Sequence, residues 1–354
     1  MSDIQIIFEP SRPVYYPGDI VSGYVIVNLS EETKLNEIYL KAKGHARVSF
    51  WHGYDKNRWN YRSEKVYLKE RITLWQKNEA EGETHLPGGS QKYPFSLTIP
   101  YDSVPSIEGT HGHVRYKLIV KLNLPWALDK TFKQKIMVAA PINSNYNPAY
   151  NQPCVTQINK NGFFTSSNLQ AIVNIPRAVW AAGEIIPVHV NVENNSSNDI
   201  TGVEVAIIKR EAFTGQAFVK HHSLTKECVK KMNSLRTQDL IPPSSSTETL
   251  VEIPVPENLI TISNCPNITV HYELKVELHT KSIFSSGPSA CMPVILSNVP
   301  MVQLPEPLQV EENSFQPSTS FPPPYPVAPP PYSLYDSNST SKEPSSTSKS
   351  SPSY

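Results

Sequence analysis

Two stretches of this chain repeat each other at a fixed distance, and that repetition limits its fold more than any other feature. Gly18-Asp-Ile-Val-Ser-Gly-Tyr-Val-Ile-Val27 stands 165 positions before Gly183-Glu-Ile-Ile-Pro-Val-His-Val-Asn-Val192, and at that offset Leu35, Ile38 and Leu40 face Ile200, Val203 and Val205. Further on the offset becomes 156: Phe95-Ser-Leu-Thr-Ile-Pro100 meets Val251-Glu-Ile-Pro-Val-Pro256, and Val114-x-Tyr-x-Leu-x-Val-x-Leu122 meets Val270-x-Tyr-x-Leu-x-Val-x-Leu278. The nine-residue change reads as one deletion in a loop of the second copy. A period this long excludes a solenoid, whose units run about 20–50 residues, and points to two related domains in tandem.

The repeated segments alternate apolar and polar residues, as half-buried antiparallel strands do. Val114, Tyr116, Leu118, Val120 and Leu122 face the core, with Arg115, Lys117, Ile119 and Lys121 outward. In the second copy Val270, Tyr272, Leu274, Val276 and Leu278 face inward. Strand-length runs broken by Pro, Gly and Asn continue to about residue 300, so the expected fold class is all-β, two immunoglobulin-type β-sandwiches. The expected segments are a first sandwich over 1–145, a connection over 146–165, a second sandwich over 166–300 and a tail over 301–354. The connection draws on the Asn-, Pro- and Tyr-rich stretch Ala140–Gln157, and one short helix is expected around Lys226–Met232.

Proline marks the tail. The chain holds 33 prolines in 354 residues, and 12 of them fall in 301–354. From about Pro305 apolar residues give way to Pro, Ser, Thr and Asn, which cannot bury enough surface to offset ordering entropy, so disorder is expected. Two copies of P-P-x-Y stand there, Pro322-Pro323-Pro324-Tyr325 and Pro329-Pro330-Pro331-Tyr332. Consecutive prolines pre-set a polyproline II helix that docks in an aromatic-lined groove at little entropic cost, the mode of WW-domain ligands. Pro322, Pro323, Tyr325, Pro329, Pro330 and Tyr332 are the expected WW-binding residues.

Other signals mostly exclude. Lys plus Arg and Asp plus Glu both number 32, so net charge gives no argument for nucleic acid. The outward Arg115, Lys117 and Lys121 still form a basic stripe suited to phosphorylated cargo or acidic lipid headgroups. Phe50–Arg62 mixes aromatics with bases and reads as a strand connection pinned by packed rings rather than a base-stacking platform. No apolar run reaches spanning length. The N-terminal residues lack the basic start and apolar length of a signal peptide, which predicts a cytoplasmic protein. Cys154, Cys228, Cys265 and Cys291 are then expected as buried thiols, and the sequons at Asn28, Asn194 and Asn267 as chance. The histidines, including His111-Gly112-His113 and His221-His222, lack convergent metal-ligand spacing, and no hydrolase, phosphate-loop or dinucleotide motif occurs, so neither metal, cofactor nor catalysis is expected.

Specific strings then meet this architecture: Lys43-Gly44-His45-Ala46-Arg47-Val48 with Trp51, Leu86-Pro87-Gly88-Gly89 before Tyr93-Pro94-Phe95, Ser106-Ile107-Glu108-Gly109 before Gly112-His113-Val114-Arg115-Tyr116, and Pro125-Trp126. With the tail motifs, the chain resembles the α-arrestin family of arrestin domain-containing adaptors. The resemblance implies arrestin-like sandwiches and a non-catalytic adaptor. Its P-P-x-Y motifs would bind WW domains of Nedd4-type HECT ubiquitin ligases, and its body would approach membrane receptors or transporters for ubiquitination, endocytosis and lysosomal delivery. That places it in the cytoplasm, peripheral at plasma membrane and endosomes. The P-[ST]-A-P motif of some members is replaced by Pro288-Ser-Ala-Cys291. A retromer-like arrestin-fold sorting subunit, which needs no P-P-x-Y, is the alternative.

Overall fold

A computed structural model describes residues 3–78, 80, 85–139, 148–161, 168–217, 222–281 and 287–298. The tail and both P-P-x-Y motifs lie outside the described residues. The first half contributes β1 (Asp3–Phe8), β2 (Ile20–Leu29), β3 (Thr33–Lys34), β4 (Glu37–His52), β5 (Trp59–Gln76), β6 (His85–Leu86), β7 (Gly89–Thr98), β8 (Ile107–Glu108), β9 (Gly112–Asn123) and β10 (Lys130–Ile136). The second contributes β11 (Cys154–Asn161), β12 (Asn168–Ile175), β13 (Val179–Ala181), β14 (Ile185–Asn195), β15 (Ile200–Ala217), β16 (Ser223–Arg236), β17 (Ser245–Pro254), β18 (Ile268–Thr280) and β19 (Ser289–Ser297).

Each half packs a small sheet over part of a large one. The small sheets run β1-β2-β7 and β11-β12-β14-β17. The large sheet holds ten strands, in the order β10-β9-β4-β5-β15-β18-β19-β13, with β8 beside β9 and β16 beside β15. It crosses from one half to the other where Arg62 and Tyr61 of β5 pair with Gln216 and Ala217 of β15. This is the all-β, double-sandwich fold that the alternation predicts.

The repetition holds at single residues. Val21, Val25 and Val27 of β2 are buried, as are Ile186, Val190 and Val192 of β14. Gly18 and Gly183 both sit at positive φ, 91° and 81°, a turn conformation that glycine enters without steric cost. Tyr116 is fully buried and donates its hydroxyl to the Val104 carbonyl at 2.8 Å. Its counterpart Tyr272 accepts from the Ile260 N–H at 3.3 Å, so both partners keep the offset of 156 while the bond reverses direction. The nine missing residues are not one loop deletion: β16 has 14 residues where β5 has 18, and the connections on both sides of it are shorter as well.

Several expectations change. Lys226–Met232 is not helical but lies within β16, paired along β15. Its Lys, Glu and Met content favours helix intrinsically, yet tertiary pairing overrides so weak a preference, and lysines are what an edge strand carries against unwanted pairing. Part of the stretch expected as connection is a strand, since β11 pairs with β12 and buries Ile158. Ile119 is buried rather than outward; Lys41 and Lys133 flank it in register, and their aliphatic stems share its face. Of the four free cysteines only Cys265 is buried, while Cys154 and Cys228 are half-buried and Cys291 is exposed. Asn194 and Asn267 are buried, as chance sequons allow. Phe50 and Tyr61 stack at 5.4 Å within the β4–β5 hairpin, with Trp51 and Tyr54 left exposed.

Polar groups also tie the halves together. Glu211 of β15 is buried and accepts from the Thr110 hydroxyl at 2.5 Å, with Lys209 at 2.6 Å. Burial pushes its carboxyl up, but Lys209 and Thr110 outweigh that and leave it below the usual range. Asn267 donates to the Ala46 carbonyl and the Ser63 hydroxyl at 3.4 and 3.3 Å. Phe213, fully buried, meets the edge of the His111 ring.

Candidate anion-binding face

The basic stripe lies on the outer face of the large sheet, in the first half, and strand pairing widens it. Lys117 of β9 is opposite Lys135 of β10 on one side and Lys43 of β4 on the other, and Lys43 is opposite Lys69 of β5. Four lysines therefore stand in one cross-strand row, about 14 Å long at the usual interstrand spacing. The next row, about 7 Å along the strands, reads Lys133, Ile119, Lys41 and Arg71.

The three residues named from sequence fare differently. Arg115 is held by Glu108 through two hydrogen bonds of 2.6 Å, an exposed bidentate pair, and the arginine keeps that carboxyl ionised to below its usual range. Lys121 is 3.4 Å from Asp129. Lys117 has no carboxylate within ion-pair distance among the described residues. Desolvation first, then Lys133, Lys43, Arg47 and Arg115, lower its pKa. Neighbouring cations are also restrained: Arg47 reaches Glu64 at 2.9 Å, Arg71 reaches Glu37 at 2.5 Å, and Arg71 and Lys41 both lie over the Tyr39 ring.

Lys43, Lys69, Lys117 and Arg47, with His45, line a depression of about 350 Å³. A bulge opens it: Gly44 is opposite Leu68 and His45 opposite Val66, which leaves Tyr67 as the extra residue, turned inward and buried. His45 is itself buried, and desolvation together with Arg47 lowers its pKa to about 4. The depression thus presents neutral imidazole among cations, a set of donors with no built-in counter-charge beyond Glu64. Like charges directly opposite one another weaken a sheet, and an arriving anion would relieve them.

Sequence reasoning found Lys117 but missed Lys43, Lys69 and Lys135. Each sits at the outward phase of its own strand, as in Lys41-x-Lys43-x-His45-x-Arg47, but only the pairing of β10, β9, β4 and β5 brings them into a row.

Comparison with known proteins agrees with the architecture. The family profile described as Arrestin (or S-antigen), N-terminal domain, matches residues 4–145, and that described as Arrestin (or S-antigen), C-terminal domain, matches 165–301. Arrestin domain-containing protein 17 of Caenorhabditis elegans is 26% identical over 310 residues, covering 84% of this chain and 71% of its own. Human arrestin domain-containing protein 4 is 27% identical over 291 residues, covering 79% and 68%. Human thioredoxin-interacting protein is 23% identical over 284 residues, covering 78% and 70%. Two arrestin sandwiches in tandem define the class of fold. The chain belongs to the arrestin domain-containing proteins, the α-arrestin family.

Proposed function

We propose that this chain is a non-catalytic adaptor that links Nedd4-type HECT ubiquitin ligases to membrane receptors or transporters, for ubiquitination, endocytosis and lysosomal trafficking. Membership of the arrestin-domain family supports an adaptor role. The observation that carries the finer reading is the pair of P-P-x-Y motifs, Pro322-Pro323-x-Tyr325 and Pro329-Pro330-x-Tyr332, behind two arrestin sandwiches. Each motif offers a proline ridge and a tyrosine to a WW groove. Seven residues of polyproline II span about 22 Å, so the two motifs serve one WW domain in turn more readily than two at once. The outer basic face around Arg115, Lys117 and Lys121 is the contact for cargo or acidic headgroups. The described residues contain no helix long and apolar enough to cross a membrane, which accords with peripheral action at plasma membrane and endosomes.

The test is affinity capture of WW-domain ligases by the full chain and by the double variant Tyr325→Ala, Tyr332→Ala. Capture should fall to background in the variant while its thermal unfolding is unchanged. Capture at the natural level would overturn the assignment of the tail.

A further inference from the structure

We infer that the outer face of the first sandwich is a seat for a bilayer that displays multiply phosphorylated headgroups, with Lys43, Lys69 and Lys117 holding the phosphates and the β9–β10 hairpin tip entering the lipid. This deepens the reading of the basic face given above and rests on it.

Two independent features support this. The first is the cation row. Lys135, Lys117, Lys43 and Lys69 are consecutive in register across four strands, and none has an ion-pair partner among the described residues. Glu108, the carboxylate whose ionisation Lys135 favours, is already committed to Arg115. Uncompensated lysines at neighbouring sites demand an anion carrying several charges in a small space. The depression beside Lys43, Lys69 and Lys117, about 350 Å³, is sized for a small ring bearing phosphates rather than for a folded partner. Lys43, Lys69 and Lys117 also converge with Arg47 on that one depression, which gathers several phosphates on a single small group.

The second feature selects a bilayer over a soluble anion. The hairpin that carries Lys117, Lys121, Lys133 and Lys135 ends in a loop with Trp126 and Leu128, which are 103% and 92% exposed. Trp126 is also held at φ 63°, a conformation rare for a bulky residue. Tryptophan prefers the boundary between headgroups and acyl chains, and leucine the apolar side of it. The tip continues the same two strands beyond the row, so a sheet lying along the headgroups would set its lysines against phosphates and Trp126 and Leu128, at its rim, against the boundary with the acyl chains.

The experiment is co-sedimentation of the full chain with phosphatidylcholine vesicles containing phosphatidylinositol bisphosphate, compared with vesicles containing phosphatidylserine at equal surface charge. The natural chain should partition onto the first in clear preference to the second. Replacing Lys43, Lys69 and Lys117 with Gln should lower that partition at least about thirtyfold, each lysine at an anionic surface being worth about fivefold. Trp126→Ala with Leu128→Ala should lower it at least about fivefold. A control that replaces Lys226, Lys230 and Lys231 of β16 with Gln should bind as the natural chain does. Thermal unfolding of the face variant should be no lower than natural, because the row loses only repulsion.

Equal loss in the β16 control, equal binding to both vesicle types, or full binding by the face variant would each overturn the proposal. Binding of a multiply phosphorylated peptide to the face, with no vesicle binding, would assign it to phosphorylated protein instead. Failure of lipid binding with cargo capture still lost in the face variant would defeat the lipid assignment and leave the cargo reading standing.

Discussion

Gly44 shows how closely the first core is fitted. A Cβ placed there would lie 2.2 Å from the Tyr116 ring, which is fully buried and cannot swing away. Gly44→Ala should therefore cost at least about 1–3 kcal/mol, the usual range for overpacking, measurable by urea unfolding. Tyr116→Phe should cost about 1–3 kcal/mol as well, because it leaves the buried Val104 carbonyl without its donor. His45 gives a pH dependence whose sign is fixed by its environment. Its pKa drops from 6.5 to about 4 on folding, so the unfolded chain takes up the proton first. Stability should decline as pH falls from about 6.5 to about 4 and then level off with respect to this group. His111 and His113, also lowered by desolvation, add to that slope, and Glu211 adds at lower pH. His45→Gln should flatten the slope of melting temperature against pH across this window; an unchanged slope would assign it to the other groups.

At the level of strands, the sequence exposed whatever a single strand encodes. Alternation in β9 and β18 named their buried sides, and the two offsets paired β2 with β14 and β9 with β18 across the halves. What it could not show was adjacency. Lys43, Lys69 and Lys135 lie 26 to 92 positions apart in sequence, and nothing local says that β10, β9, β4 and β5 stand side by side. Ile119 is outward by phase yet buried, because lysines from two neighbouring strands flank it. Lys226–Met232 misled for the opposite reason: its composition speaks for helix, while the open flank of β15 decides for strand. The proposed WW-binding motifs are the reverse case again, since a polyproline II ligand is written in consecutive residues and needs no fold to be read.

Across the molecule, the ten-stranded sheet makes the two sandwiches mechanically and thermodynamically neighbours. Strand pairing at Tyr61 and Arg62, the Thr110–Glu211 hydrogen bond and Asn267 against Ala46 all cross the boundary. The natural chain should accordingly give one cooperative heat-absorption peak. Thr110→Val combined with Asn267→Ala removes two of these ties and should broaden or split the peak; two resolved peaks in the natural chain would show that the seam does not couple the halves.

That seam has a further consequence. Within the halves β4 and β5 meet along sixteen residue pairs and β15 and β16 along thirteen, yet β5 and β15 share only two. Under tension between something gripped by the body and something else attached to the chain, the load converges on the shortest run of rungs in the ladder. The boundary between the halves, tied otherwise by the Thr110–Glu211 and Asn267 hydrogen bonds, is then where a pull across the two sandwiches would be felt first.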